Sequence, residues 1–473
     1  MFWINFLHIY QPIDQQKDIL ERIVNESYRP LVKNWLKNPK TKITLNINAC
    51  LTEMLVKNGY HDVVSDLKKL SELGRVEFTA SAKYHPFLPI LPKSEIVRQI
   101  KLNNETNQKY FGKVYSPDGF FPPEMGYSTK VAEVVANLGY KWLIVDEIAF
   151  NGQVGQIRNN KLYFYENKLY IFFRERKLSN HLSSAISTGN SFWEALKDRE
   201  PKSYLLTAMD GETFGHHRPG LQDLLDRLIT ESTSEVITLS QVFNHFKDYS
   251  AVLPLSSTWA TTEEELQKDI PYYLYYNPYN KLHRLEKKLI DLAIKVVERS
   301  KSEKVHRLLD QSLSCNHMWW SNPDSWWSIE ELEKGAYALN KTIQSASGSF
   351  AQEKKKSHDL YDQILYQAFT WARTGLIRKL HSQKEPFKKV PFKQRAGPGQ
   401  YQALRTILKK EEELASTRQE YELAIKWRDA RILLEKEVDG YQWVHILDEL
   451  RSQGKLVDFE RLTAEYQNEY KKE

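Results

Sequence analysis

The stretch Tyr204-Leu205-Leu206-Thr207-Ala208-Met209-Asp210-Gly211-Glu212-Thr213-Phe214-Gly215-His216-His217 decides how this chain is interpreted. Its first six residues predict a buried parallel strand, because they form a nearly continuous apolar run. Asp210 stands where that strand ends, which is where α/β barrels place their functional groups. A second acid, Glu124, follows another short apolar run, Gly119–Phe121. Two acids at two strand ends indicate acid–base or glycosyl-transfer chemistry.

Composition narrows the class of protein. The 473 residues are 41% apolar and 27% charged, with a net charge of +6, which is an ordinary balance for a soluble globular chain. Neither the charge nor any motif indicates binding of nucleic acid. No apolar run is long enough to span a bilayer, and the N-terminus lacks the basic start of a signal peptide. Two cysteines, Cys50 and Cys315, do not make a disulfide framework, so we expect a cytoplasmic protein without membrane or nucleic-acid partners.

Strand and helix signals alternate through the first half of the chain, which predicts an α/β fold with a mostly parallel sheet. The predicted strands are Phe2–Leu7, Lys42–Ile47, Val76–Thr79, Gly119–Phe121, Trp142–Val145, Tyr204–Met209 and Val236–Leu239. Seven strands separated by helices indicate a (β/α)7 barrel, an incomplete TIM-like barrel. An open doubly wound sheet is the alternative, but no glycine-rich phosphate loop follows the first strand.

The remaining organisation follows from composition. We assign residues 1–260 to the barrel, with a hairpin insertion near 150–175 that we expect to project from the rim. Residues 261–381 predict a helical domain that contributes to the active-site cleft. Residues 382–400, rich in proline, glycine and lysine, read as a linker or long loop. Residues 401–473 predict C-terminal helices, the first of them one long helix over Tyr401–Val438.

Further polar residues follow the predicted strands. His8-Ile9-Tyr10-Gln11-Pro12 comes after the first strand, Gly74-Arg75-Val76-Glu77 lies on the third, and His85 follows it. The segment Pro122-Pro123-Glu124 follows the fourth strand, and Asp210-Gly211-Glu212-Thr213-Phe214-Gly215 follows the sixth. Because parallel strands end at one mouth of a barrel, these groups are expected to converge there.

These four ordered motifs resemble glycoside hydrolase family 57, a mostly α-glucan-active group with a (β/α)7 barrel and an attached helical region. The resemblance implies that Glu124 is the nucleophile and Asp210 the general acid/base of a retaining, α-amylase-like cleavage of α-1,4-glucosidic bonds. A retaining site places its two carboxyl groups about 5–5.5 Å apart. The implied partner is an α-glucan or maltooligosaccharide, and neither a metal nor another cofactor is expected.

The motifs and the aromatic residues also define candidate substrate contacts. They are His8, Gln11, Glu77, His85, Glu212, Trp259, Trp319 and Trp320. Two positions depart from the resemblance, since Tyr10 stands where the family often has His and His317 where its fifth motif has Asp. Arg174 is expected to orient a carboxylate through a bidentate pair.

Three alternatives stay open at this stage. A 4-α-glucanotransferase or branching enzyme would share the glycosyl-enzyme intermediate and differ only in what attacks it. A metal-dependent polysaccharide deacetylase would use Asp210, His216 and His217 as ligands, although adjacent histidines suit joint ligation poorly. A non-catalytic glucan-binding protein would use the aromatic residues alone.

Overall fold

The computed structural model describes residues 1–166, 168–184, 192–193, 195–197, 199–384, 390–440 and 442–470. One parallel sheet, one mixed sheet and many helices make up the fold, so the predicted α/β class with a helical second half is confirmed. In chain order the strands are β1 Phe2–Ile9, β2 Ile43–Ile47, β3 Val76–Thr79, β4 Gly119–Phe120, β5 Trp142–Asp146, β6 Leu162–Tyr165, β7 Leu169–Arg174, β8 Tyr204–Asp210, β9 Glu235–Ile237 and β10 Tyr249–Ala251.

Helices follow most of the strands and then take over the chain. The α-helices span Lys17–Ile23, Arg29–Lys37, Ala49–Lys57, His61–Glu72, Lys93–Phe111, Thr129–Asn137, Ile148–Asn151, Arg176–Leu182, Leu221–Glu231, Val242–His245, Glu263–Gln267, Lys281–Ser300, Glu303–Ser312, Asn316–Trp319, Ile329–Gln344, Ala351–Arg373, Leu376–Lys384, Phe392–Arg395, Gln400–Thr417, Tyr421–Glu435, Gln442–Ser452 and Leu456–Tyr470. Short helical turns lie between them, among them a π-helical turn at Val24–Tyr28 and 3-10 turns at Pro123–Met125, Gly211–Thr213 and Leu239–Gln241. None of the helices in the described part of the chain is long and apolar enough to cross a membrane.

The first sheet has the strand order β3-β2-β1-β8, all parallel, and β9 pairs with the first residues of β1. The predicted strands β1, β2, β3 and β8 are therefore confirmed as neighbours. Their register sets His8 beside Asn46 on one side and beside Asp210 on the other. Polar residues from three strands thus meet at one end of this sheet.

The second sheet has the order β10-β6-β7-β5-β4. Strands β6 and β7 form the predicted hairpin, with an antiparallel pairing of Tyr163 to Ile171. The expectation that this hairpin projects from a rim is wrong, because β7 also pairs in parallel with all of β5. Ile171, Phe172 and Phe173 are buried, so both faces of β7 belong to the interior.

The (β/α)7 barrel that the sequence predicts is not confirmed, because the two sheets do not close into one barrel. One seam between them is a single parallel bridge from Ala80 to Phe120. Pro122 and Pro123 come after β4 and one further residue, Phe121, and they lack the N–H groups that would extend the strand. At the other seam, backbone contact between the sheets includes the Glu175 N–H donating to the Leu206 carbonyl at 2.9 Å, but β7 and β8 do not pair as strands.

Apolar side chains from both sheets meet between them. Ile4, Phe6 and Leu206 from the first sheet lie in one buried cluster with Trp142 and Phe172 from the second. Another cluster joins the helices behind the second sheet to the helices of residues 281–373. This shared core fixes the helical part beside the ends of β4 and β5.

Two predicted helices are each broken in the structure. The segment Tyr401–Val438 forms two helices, because Gln419 adopts a left-handed backbone and the chain turns back on itself. Ala415 and Trp427, one from each helix, then share a core with the two last helices. The sequence also predicts a helix over Ser357–His381, and the structure interrupts it at Gly375, which has a positive φ. The linker prediction for 382–400 lies in part outside the described residues.

Candidate active site

A cavity of about 530 Å³ opens where β1 and β8 end, between the loops that follow β3 and β4 and the helical part of the chain. Nine of the ten predicted site residues line this cavity, together with Tyr10 and the loop residue His217. The wall contains His8, Tyr10, Gln11, Pro12, Gln15, His85, Glu124, Asp210, Glu212, His217, Trp259, Tyr275, Cys315, Asn316, Trp319, Trp320 and Glu331. Cavities of this size hold small ligands.

Glu124 is held in a strained and fully oriented conformation. It lies in the 3-10 turn after β4 with φ +61°, a left-handed backbone that non-glycine residues rarely adopt. Its Oε2 atom accepts a hydrogen bond from Trp259 Nε1 at 2.8 Å and another from the Tyr275 hydroxyl. Oε1 receives no hydrogen bond from the residues that the structure describes, and lies 3.8 Å from His85 Nδ1. One oxygen is thus anchored while the other is left for chemistry.

Asp210 ends β8 and faces the same cavity. Arg174 lies close enough for its positive charge to oppose the rise of the Asp210 pKa. The predicted bidentate pair is not formed, because Arg174 donates to Asp146 Oδ2 through Nη1 at 2.8 Å and to the Ala208 carbonyl through Nε at 2.8 Å. The guanidinium also lies 5.8 Å from the centre of the Trp259 ring. Arg174 therefore connects Ala208, near the end of β8, with Trp259, the residue that donates to Glu124.

Burial makes both carboxyl groups weak acids. It raises the pKa of Glu124 to about 7, assisted by the negative charge of Asp210 and opposed by the hydrogen bond from Tyr275. Burial also raises the pKa of Asp210 to about 6. The two carboxyl groups are therefore coupled, and near neutral pH the pair can share one proton.

Two histidines form a hydrogen-bonded relay along one wall. His8 Nδ1 lies 2.8 Å from Asn46 Oδ1, which only accepts, so this nitrogen carries the hydrogen. His8 Nε2 is then an acceptor for His85 Nε2 at 3.2 Å. His85 Nδ1 is left with a lone pair, and the Cys315 thiol lies 3.4 Å away. Burial keeps both rings neutral, because it lowers the pKa of His8 to about 4 and that of His85 well below its usual value.

Glu212 organises the loop after β1. Its Oε1 atom accepts hydrogen bonds from the Tyr10 N–H at 3.1 Å, from Gln11 Nε2 at 3.2 Å and from the Tyr28 hydroxyl. Burial raises its pKa to about 7, and the charge of Asp210 adds to the rise. Glu212 thus connects the two motifs, and its contacts are those of a residue that positions the loop.

Close packing beneath this loop requires glycine at position 215. Gly215 has φ +111°, and a Cβ there would lie 1.9 Å from the Glu26 carbonyl oxygen. Glu26 lies in the π-helical turn Val24–Tyr28, and the Tyr28 hydroxyl of that turn donates a hydrogen bond to Glu212. The glycine therefore allows the loop after β8 to sit directly on this turn.

Aromatic rings line the side of the cavity that the helical part supplies. Trp319 stacks on Trp326 at 5.4 Å, while Tyr275 lies 5.3 Å from Trp319. On the opposite side, Tyr10 stacks on His85 at 4.1 Å. The flat C–H faces of sugar rings pack well on such surfaces, so the cavity is suited to a carbohydrate.

Three predicted residues lie elsewhere. Glu77 points to the other end of the sheet, where its Oε2 accepts from the Ser240 N–H at 3.1 Å. His317 turns away from the cavity and bonds the buried Glu286 through Nδ1 at 2.8 Å. His216 bonds Glu26 at 2.6 Å outside the cavity wall. The metal triad of a deacetylase, with Asp210 and two adjacent histidines, is not assembled.

Several further cavity residues were not predicted from the sequence, among them Tyr275, Cys315 and Asn316. Tyr275 holds Glu124, while Cys315 and Asn316 lie in the wall. Tyr275 belongs to the run Pro271-Tyr272-Tyr273-Leu274-Tyr275-Tyr276, whose density of tyrosine was a usable signal. Cys315 carried none, because its meaning depends on the loop of His85 lying against it.

An α/β fold with two largely enclosed carboxyl groups in an aromatic-lined cavity is the arrangement expected of an enzyme that cleaves or transfers glycosidic bonds. The particular family follows from sequence comparison. Residues 4–254, more than half of the chain, match the profile of glycosyl hydrolase family 57, and the chain belongs to that family. The resemblance seen in the four motifs is thereby confirmed.

Relatives with known names differ in activity. The alpha-amylase of Pyrococcus horikoshii is 24% identical over 282 residues, which cover 56% of this chain and 44% of that protein. The crystal structure of the 4-alpha-glucanotransferase of Thermococcus litoralis has a TM-score of 0.60 at 17% identity, covering 73% of this chain and 59% of that one. The GH57-type branching enzyme of Pyrococcus horikoshii has a TM-score of 0.58 at 15% identity, covering 76% and 94%. This chain thus aligns with less than half of the amylase, and the two structures establish a shared fold.

Proposed function

We propose that this protein is a retaining, α-amylase-like enzyme that cleaves α-1,4-glucosidic bonds of α-glucans. The observation that carries the proposal is the state of Glu124, which shares a cavity with Asp210 and has one oxygen anchored and one free. In this scheme Glu124 Oε1 attacks the anomeric carbon, and Asp210 protonates the leaving glycosidic oxygen. Asp210 then removes a proton from water as the glycosyl-enzyme is hydrolysed.

The scheme requires Glu124 to be ionised and Asp210 to hold the proton that the pair shares. Positive charge that develops at the anomeric carbon stabilises the Glu124 carboxylate next to it. The hydrogen bonds from Trp259 and Tyr275 favour the same ionised form. Because the positive charge develops only as the glycosidic bond breaks, this stabilisation is specific to the transition state.

Glucanotransfer is the second candidate function. It is favoured by the stacked Trp319 and Trp326 beside the cavity, which offer a surface where an acceptor sugar could replace water. The relatives include both a 4-alpha-glucanotransferase and a branching enzyme. In all three activities the first half of the reaction, and the roles of Glu124 and Asp210, are the same.

The test is a product profile on maltoheptaose for the unmodified protein, for Glu124→Gln and for Glu77→Gln. Hydrolysis gives only shorter sugars, whereas transfer gives longer ones as well. Glu124→Gln is expected to abolish turnover, because an amide does not form the glycosyl-enzyme. Glu77→Gln is the matched control, since Glu77 lies away from the cavity and its amide oxygen still accepts from Ser240. Turnover by Glu124→Gln at the unmodified rate would exclude the assignment.

A further inference from the structure

Three potential metal ligands meet at the cavity wall, on the free side of Glu124. His85 Nδ1 lies 3.4 Å from Cys315 Sγ and 3.8 Å from Glu124 Oε1. All three atoms lie within 4.8 Å of one another, and all three residues face the cavity. Zinc–ligand bonds of about 2.0–2.3 Å at tetrahedral angles separate the ligand atoms by about 3.4–3.6 Å. Small side-chain movements would therefore complete the set.

The hydrogen bond between His85 and His8 leaves His85 able to bind a metal through its other ring nitrogen. Its Nε2–H donates to His8, which leaves the Nδ1 lone pair directed at the cluster. Metal-bound histidines usually donate their other ring N–H in this way, and the partner fixes the tautomer and the ring orientation. Glu124 Oε1 is equally available, since the donors Trp259 and Tyr275 bind Oε2.

The backbone fixes the cysteine against the histidine. The Cys315 N–H donates to the His85 carbonyl at 3.1 Å, and Pro86 and Ser314 form an antiparallel bridge. The sulfur and nitrogen ligands are thus brought together by the same contacts that join the helical part to the loop after β3. Forming the site needs no rearrangement of the chain.

We propose that His85, Cys315 and Glu124 form an inhibitory site for a thiophilic divalent cation of the zinc type, which binds the Glu124 oxygen that the reaction uses. The inhibitory consequence rests on the proposed function, whereas metal binding itself does not. Neutral imidazole, thiolate and carboxylate offset the two positive charges, and the fourth position faces the cavity. Binding releases the Cys315 proton, and a second one when Glu124 holds the shared proton, with no change in oxidation state.

A second cluster of metal-binding residue types is a useful contrast. Glu95, His306 and Asp310 also approach one another between two helices. Both Asp310 oxygens are already bound by Arg98, at 2.8 and 2.7 Å, and His306 pairs with Glu95 at 3.1 Å. This group is a satisfied ion-pair network, so the site in the cavity is the one we assign.

Co²⁺ tests binding without any substrate. Added to the reduced full-length protein, it is expected to produce a thiolate-to-cobalt absorption band that Zn²⁺ abolishes. Cys315→Ser should lose the band, and Cys315→Ala serves if the serine variant does not fold. Cys50→Ser is the matched control, because Cys50 is buried outside the cavity wall, 3.8 Å from the Gln11 carbonyl. Absence of the band in the unmodified protein, or its persistence without Cys315, would overturn the proposal.

Inhibition is then measured with a maltooligosaccharide. Zn²⁺ should compete with the sugar, and Cys315→Ser should raise the inhibition constant at least about tenfold, the loss that even an outer-shell change can cause. Cys50→Ser should leave the inhibition constant unchanged. A cobalt band without glucan turnover would refute the proposed function and keep the metal site. Glucan turnover without a cobalt band would refute the metal site and keep the proposed function.

Discussion

Replacing Tyr275 by Phe removes one of the two hydrogen bonds that anchor Glu124 while leaving Trp259 in place. A hydrogen bond to a charged group contributes about 1.5–3 kcal/mol, and 1.36 kcal/mol corresponds to one pKa unit. The variant should therefore have a Glu124 pKa that is higher than the unmodified value of about 7, because the ionised form has lost a donor. The ionisation constant of Glu124 is expected to fall by about 10- to 100-fold.

The pH dependence of kcat/KM then shows whether Glu124 reacts in its ionised form. In acid, where both carboxyl groups are protonated, activity follows the small fraction with ionised Glu124 and should fall by that same factor. In base, Glu124 is ionised in both proteins, so the ratio of their activities should return toward one. If Glu124 were instead the general acid, the acid limb would be unchanged and the alkaline limb would rise.

The assay is hydrolysis of maltoheptaose from about pH 5 to about pH 9. Tyr272→Phe is the matched control, since it removes a hydroxyl from the same tyrosine run that bonds the Tyr127 carbonyl at 2.7 Å. That variant should keep the unmodified pH profile. Superimposable profiles for Tyr275→Phe and the unmodified protein would refute the account of how Glu124 is held.

Three further predictions follow from the same contacts. Asp210→Asn should lower kcat/KM on maltoheptaose by about 10²–10⁴-fold and far less on an aryl maltoside, whose leaving group needs no proton; equal losses on both would contradict an acid role. Burial raises the folded pKa of Glu212 to about 7, above its unfolded value, so the folded state binds an extra proton near pH 5 and loses it by pH 8. Glu212→Gln removes this contribution, so the decrease in the free energy of unfolding between pH 5 and pH 8 should be smaller by up to about 3 kcal/mol. Urea unfolding at both pH values measures the decrease, and an unchanged decrease would count against the prediction. Gly215→Ala should cost more than about 3 kcal/mol in the same assay, whereas Gly59→Ala, with φ +87° and no atom within 4 Å of the added Cβ, should cost only about 1 kcal/mol.

The sequence predicted most of the strands, because long apolar runs leave little choice of structure. It did not show that β7 pairs with β5, since a hairpin and a sheet strand have the same local pattern. The predicted (β/α)7 barrel is not confirmed for a similar reason. Whether the strands close into a barrel depends on pairing between distant residues, such as Ala80 and Phe120. Local periodicity carries no information about that pairing.

The candidate site, like the fold, was predicted only in part from the sequence. Glu124 and Asp210 lay in recognisable motifs and do face one cavity. Glu77 lay in a motif too, but it is the second residue of β3, and its carboxylate accepts from the Ser240 N–H at the other end of the sheet. Tyr275 and Cys315 reach the cavity only because the helical part packs on the loop after β3. Such contacts between remote segments are set by tertiary packing.

Trapping of the glycosyl-enzyme identifies the residue that acts as the nucleophile. A fluorinated maltosyl fluoride, which forms the covalent intermediate and hydrolyses slowly, is incubated with the protein, and the labelled peptide is located by mass spectrometry. We predict one label per chain, on Glu124, and none on the Glu124→Gln variant. A label on Asp210, or on another residue, would contradict the assignment of Glu124 as the nucleophile.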